Sequence, residues 1–292
     1  MRLAELFASR PFVLSFEVFP PKTEAGRASL AATVARLADY EPGFVSCTYG
    51  AGGSTRGQTL DIVADIQQRH NLVGTAHLTC VGSTVEDLVA VLDDAVSRGV
   101  RNIMALRGDP PKDQATFTPT AGGLRYANEL VTLIRQRFPG LGVGVAGYPE
   151  THQEAASADA DLANLQRKVD AGADAVFTQL FYDNDDFYRF RDRCQAAGIA
   201  VPVVPGILPI VNFCQVQRLT KMCKACIPAG LTERLEECGD DRAAQQAVGV
   251  AWATEQCADL MRQGVPGIHF YVLNQCEAAE QVWDNLNLAR VR

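Results

Sequence analysis

Histidine is scarce in this 292-residue chain. The four are His70, His77, His152 and His269, and none has a second histidine or a carboxylate three or four residues along. That spacing is how one helix face presents two ligands, so no metal site is expected. Basic residues are outnumbered, 27 Lys and Arg against 34 Asp and Glu, leaving a net charge of −7. Nucleic acid is thereby excluded as a partner, because a phosphate backbone calls for a positive footprint. An anionic ligand would need a local basic pocket instead. Long apolar runs are also missing: the longest, 201–211, is too short to span a bilayer and contains three prolines. The first ten residues carry Glu5 inside their only apolar stretch and lack the apolar core of a secretory signal. No membrane partner is expected. The nine cysteines, odd in number and without a recurring spacing, read as reduced thiols of a cytoplasmic protein.

No Ser- or Gly-rich linker, charge block or low-complexity tract divides the chain, so residues 1–292 read as one domain. What does recur is a unit: a short β-branched run, a polar loop, then a stretch of helical periodicity. The runs fall at 13–19, 44–48, 74–79, 102–106, 142–146, 175–178, 201–204 and 268–272. Helical stretches follow near 24–39, 56–69, 84–98, 123–137, 158–171, 184–197, 212–223 and 276–288. Ser83-Thr84 and Ser157 stand where helix caps belong. A further stretch at 242–263 predicts an extra helix before the last strand. An open doubly wound sheet uses the same alternation with fewer strands. Eight units predict a (β/α)₈ TIM barrel, an α/β fold of parallel strands.

Polar side chains gather where the strands end, the rim on which such barrels build active sites. Glu17 lies in Ser15-Phe16-Glu17-Val18-Phe19-Pro20-Pro21, whose apolar neighbours leave it no polar face. It is expected inside the barrel, where burial would raise its pKa and prepare a proton donor. Arg107-Gly108-Asp109 ends the fourth run; the two charges could pair with each other or hold a flat or phosphorylated ligand. His77 could be a satisfied core histidine or a ligand, and His152 lies in a loop that suits ligand contact. Asp161, Asn164, Arg167 and Lys168 share one helical stripe: either a solvated face or cations for a pyrophosphate. Two patterns mislead. Gly142, Gly144 and Gly147 spell a dinucleotide fingerprint but lie within a strand with no helix after it. Cys223 and Cys226 resemble half a zinc site that has no second half.

With these residues in view, the chain resembles the bacterial, single-domain methylenetetrahydrofolate reductases. The likeness runs from Ser15 to about Asn274 and is carried by nine motifs in register. They include Ser15–Pro21, Val45–Arg56, Ala76–Cys80, Ala105–Asp109, Gly147–His152, Phe177–Asp183 and Phe270–Asn274. The resemblance implies FAD, with Tyr49, Ala51, His77, Arg107, Gly108, Asp109, Ala127, Tyr148, His152, Ala155, Asp161, Asn164, Arg167 and Lys168 at FAD-contacting positions. It implies that Thr48 and Gln179 meet the nicotinamide of NADH or NADPH, the choice between the two being open. Asp109, Gln179 and Gln215 match folate-contacting positions, Glu17 the general acid. The implied activity is reduction of 5,10-methylenetetrahydrofolate to 5-methyltetrahydrofolate by hydride passed through FAD. Glu17 would protonate the departing ring nitrogen and Asp109 would stabilise the resulting cation. The chain departs from the pattern at Gln275, where enterobacterial members have an arginine that grips folate, and at Leu219, where they have an aromatic ring. A homo-oligomer without a regulatory domain is expected from the family. Two alternatives stay open: a proline-dehydrogenase-like barrel flavoenzyme, and a non-catalytic barrel that binds folate or flavin.

Overall fold

The computed structural model describes residues 1–49, 56–110 and 117–286. Eight parallel strands close into a barrel in sequence order. They are β1 (Val13–Val18), β2 (Phe44–Cys47), β3 (Gly74–Thr79), β4 (Asn102–Leu106), β5 (Gly142–Gly147), β6 (Ala175–Leu180), β7 (Val203–Ile207) and β8 (Gly267–Tyr271). The helices that alternate with them are α2 (Glu24–Ala38), α3 (Arg56–His70), α4 (Val85–Ser97), α5 (Ala127–Arg137), α6 (Ala158–Asp170), α7 (Asn184–Ala196) and α8 (Phe213–Cys223). After these come α9 (Ala229–Glu237), the expected extra helix α10 (Arg242–Arg262) and, following β8, α11 (Glu277–Asn285). A short α1 (Leu3–Ser9) precedes the barrel. The TIM-barrel expectation is met, and each anticipated strand and helix is present.

Local chemistry sets the boundaries. Thr84 caps α4 reciprocally: its hydroxyl accepts from Asp87 N at 3.1 Å while Asp87 accepts from Thr84 N at 2.9 Å. Ser157 accepts from Ala160 N at 3.1 Å and starts α6. Strand β7 differs most from its sequence pattern, which stops at Pro205. The strand instead continues through it, and the β6–β7 register shifts between Phe177 and Leu180. Proline brings no donor to the ladder, and Gly206 N turns to the Thr178 hydroxyl at 2.9 Å. The three glycines of β5 serve packing: a Cβ on Gly144 would come within 3.0 Å of both Met104 and Phe177. Helices α1 and α9 were not legible, being too short to establish a period.

The barrel interior changes character along its axis. At the amino-terminal end Leu3 and Leu6 of α1 form a wholly buried plug against Val13, Phe44, Met104, Ala175, Phe177 and Val204. Asn102 fixes this plug, accepting from Leu3 N at 2.7 Å and donating to Met1 O at 3.1 Å. Toward the carboxyl end the inward positions turn polar: Val13 gives way to Ser15 and then Glu17, Thr75 to His77 and Thr79. A dry floor thus carries a polar chamber, with the larger aliphatic core between sheet and helices around it.

Candidate active site at the carboxyl end of the barrel

Two cavities adjoin above this floor, sharing Leu106, Ala146 and Tyr148 as common wall. The first, about 400 Å³, has Glu17, His77 and His269 in its lining, with Thr48, Tyr49, Gly108, Asp109, Gln179 and Leu219. The second, about 490 Å³, is lined by Arg107, Ala127, His152, Ala155, Asp161, Asn164, Arg167 and Lys168. Every expected cofactor position among the described residues therefore lines one of two adjoining spaces; Ala51 lies outside the described residues. A third cavity of about 370 Å³ lies outside the barrel between α2 and α3, and none of the expected site residues lines it.

Glu17 is the inward residue nearest the carboxyl end of β1. Its Oε2 lies 3.2 Å from His77 Nε2 and 3.5 Å from His269 Nε2. Burial pushes its pKa upward, as the sequence suggested, but the imidazoles of His77 and His269 outweigh that and hold it down at about 2. The expected direction is thus reversed, because two imidazoles from distant strands were not visible beside it. Glu17 rests as a carboxylate. Its charge also reaches Cys47 on β2, whose thiol is pushed far up, first by burial and then by Glu17.

Arg107 does not pair with Asp109, the first option its sequence neighbourhood offers. Its terminal nitrogens instead clamp Glu154, Nη2 to Oε1 at 2.8 Å, and its guanidinium lies 5.0 Å from the Phe117 ring centroid. Asp109 is exposed at the mouth of the first cavity. Tyr148 packs edge-on against His152 with centroids 4.6 Å apart, and Asp161 accepts from His152 N at 2.8 Å. The loop after β5 is thereby tied to α6. Lys168 on α6 reaches back to Ala146 O at 2.5 Å; burial lowers its pKa to about 8, against the opposing pull of Asp161. Arg167 donates to Asn164 Oδ1 at 2.5 Å. The helical stripe lines the second cavity, with Asp161 and Lys168 half-buried and Asn164 and Arg167 still exposed to solvent.

Gln215 and Gln275 stand apart. Both are exposed and line a small cavity of about 50 Å³ that meets the first only across Leu208, Tyr271 and Leu273. Asn274, one of the polar residues near the strand ends, is a brace: it accepts from Phe19 N at 2.9 Å and donates to Phe19 O at 2.8 Å. Three lining residues lacked a sequence signal. Tyr126 and Asn128 come from the start of α5, and Glu154 from a loop. His269 looked like one more residue of an apolar strand.

The profile of the methylenetetrahydrofolate reductase family matches residues 2–287. The chain belongs to this family. It is 41% identical over 276 residues to the 5,10-methylenetetrahydrofolate reductase of Escherichia coli K12, covering 94% of this chain and 90% of that one. It is 42% identical over 284 residues to methylenetetrahydrofolate reductase (NADH) 1 of Arabidopsis thaliana. There the match covers 94% of this chain and 48% of the relative, so the chain spans about half the length of its plant counterpart. Among solved structures, a Clostridium thermocellum protein that binds two copies of 5-methyl-5,6,7,8-tetrahydrofolic acid superposes with a TM-score of 0.64. That match covers 98% of this chain and 100% of the other at 14% identity, a likeness of fold. Among the described residues, no helix is long and apolar enough to cross a membrane.

Proposed function

We propose that this reductase-family barrel converts 5,10-methylenetetrahydrofolate to 5-methyltetrahydrofolate, with FAD as resident carrier and NADH or NADPH as electron donor. The observation that carries the reading is the pair of adjoining cavities, one basic and one with Glu17 in its lining. The residues present fit FAD. Arg107, Arg167 and Lys168 supply cations for a pyrophosphate in the second cavity. Leu106, Ala146 and Tyr148, common to both linings, would lie against a flavin that extends from the second cavity to the first. Bound there, FAD would supply two-electron hydride chemistry that no side chain of this protein can perform. The NADH in the Arabidopsis relative's name makes NADH the donor to test first.

The chain's own residues then have distinct tasks. Reduction at the one-carbon unit requires the five-membered folate ring to open, with the carbon–nitrogen bonding pair returning to nitrogen. Glu17 is the group in the first cavity suited to deliver the proton that nitrogen needs. Because it rests as a carboxylate, that proton must first reach it from solvent or from an imidazole neighbour. Asp109, at the cavity mouth, is placed to oppose the positive charge left on the opened folate. Thr48 and Gln179 line the same cavity and would orient whichever partner occupies it. Gln215 and Gln275 would meet the folate only where it extends past Tyr271 and Leu273.

An anaerobic titration tests the proposal. The purified protein should be yellow, bleach on addition of NADH or NADPH, and regain its colour with methylenetetrahydrofolate. A colourless protein that refuses added FAD, or a bleached one that the folate leaves bleached, would overturn it.

A further inference from the structure

His269 has a setting that a core-filling residue does not need. It lies on β8 opposite Ser15 in the β1–β8 register and is wholly buried. Its ring is wedged between three aromatic rings: Phe44, stacked at 5.7 Å; Phe177, tilted at 5.3 Å; and Tyr271, edge-on at 5.4 Å. Such a cage leaves the imidazole little freedom to turn. Both of its nitrogens are consequently aimed. Nδ1 lies 2.8 Å from Ser15 Oγ, and Nε2 lies 3.5 Å from Glu17 Oε2. An aliphatic side chain would fill this layer without the cost of burying two polar nitrogens.

His77 Nε2 approaches the same carboxylate oxygen from β3, at 3.2 Å. Both imidazoles thus bear on Oε2. Neither approach has hydrogen-bond geometry, so the two buried Nε2 atoms meet Glu17 as charge contacts whose nearest oxygen is Oε2, while Glu17 lines the first cavity. We propose that His269 is a positioning residue for proton delivery: anchored by Ser15, it holds Glu17 by Oε2 so that Oε1 faces the folate. The inference rests on Glu17 as proton donor in the proposed reduction. The proton leaves Oε1 for the folate ring nitrogen as the carbon–nitrogen bonding pair returns to that nitrogen. The negative charge left on Glu17 is then met at Oε2 by the imidazoles until a proton from solvent reloads it. Other titratable groups around Glu17 are Cys47 on β2, Tyr271 on β8 and, across the cavity, Tyr49, Asp109 and Tyr148. His77 and His269 are the ones in contact with its carboxylate.

The test pairs two substitutions that each keep one ring nitrogen's role. In His269→Asn the amide can still reach Ser15 but not Glu17; in His269→Gln it can still reach Glu17. Titration of the Glu17 carboxyl is followed by infrared difference spectra of flavin-free protein against Glu17→Gln. His269→Asn should raise the midpoint by roughly one pH unit, a tenfold change in proton affinity, and His269→Gln should restore at least half of that shift. In the loaded enzyme, the alkaline limb of folate reduction should move up in pH with the carboxyl in His269→Asn. Its maximal rate should fall by about tenfold relative to flavin reduction, the scale of one lost catalytic contact. A midpoint that stays put in His269→Asn, or a rate that falls with no movement of the limb, overturns the proposal. Should His269→Asn not fold, Ser15→Ala releases the Nδ1 anchor with little change of volume, and an unmoved midpoint there also overturns it. If the parent protein reduces no folate while the carboxyl shift is present, the proposed activity fails and the His269–Glu17 coupling stands.

Discussion

Arg107 and Glu154 form a two-toothed ion pair across the wall of the basic cavity, guanidinium to carboxylate. Arg107 holds the Glu154 carboxyl below its ordinary range, so the partner is an anion at neutral pH. A pyrophosphate bound there as proposed would therefore have to compete with Glu154 for the same guanidinium. Glu154→Gln should tighten FAD binding roughly fivefold, the equivalent of an exposed ion pair of about 1 kcal/mol. Quenching of flavin fluorescence during titration of the FAD-free protein measures it; unchanged or weaker binding would show that Glu154 is no competitor.

Glu17→Gln keeps the shape of the side chain and removes its proton chemistry. Reduction of bound flavin by NADH should persist, while reoxidation by methylenetetrahydrofolate should slow by at least ~10²-fold, the lower range for a general acid. Stopped-flow absorbance at the flavin band separates the two steps. Equal loss of both would remove Glu17 from the folate step.

Lys168 would give the proposed cofactor site a pH dependence. Burial lowers its pKa to about 8, so its charge is full below that pH and is lost as pH rises through it. FAD affinity should accordingly weaken between pH 7 and 9. In Lys168→Gln it should be weaker at pH 7 and nearly flat across the same window. Equilibrium titrations at fixed ionic strength would expose the opposite slope if the assignment is mistaken.

Leu6 offers a check on the fold independent of catalysis. It is wholly buried in the plug beneath the barrel. Leu6→Ala should cost about 2–5 kcal/mol of stability through lost burial and a residual cavity. Urea unfolding followed by circular dichroism reads this directly, and a loss under ~1 kcal/mol would mean that α1 is only loosely docked.

Much of this architecture was legible in the sequence because each strand carries its own signal. A β-branched run followed by a capped helix needs no knowledge of distant residues, and eight such units close only one way. Where two local rules compete, the pattern misleads. Pro205 stops a strand on paper, yet the shifted β6–β7 register and the Thr178 hydroxyl let β7 run on. Most polar residues that line the two cavities stood out in the sequence, but their pairings did not. Arg107 looks toward Asp109 in the sequence and meets Glu154, 47 residues away, in space. The burial of Glu17 was foreseeable, but its ionisation depends on His77 and His269, contributed by strands with no sequence link to its own. His269 itself was hidden because a lone histidine between Ile268 and Phe270 looks like filler.

Asn274 joins the two ends of the Phe19 peptide to the tail of β8, across 255 residues of chain. The same seam brings His269 against Ser15 and Glu17. During synthesis, then, a nascent chain that has released seven strands holds an unclosed sheet and an acidic side chain without its second imidazole. Competence would arrive in one step, when the final strand emerges from the ribosome and docks, so truncated translation products would be inert rather than partly active.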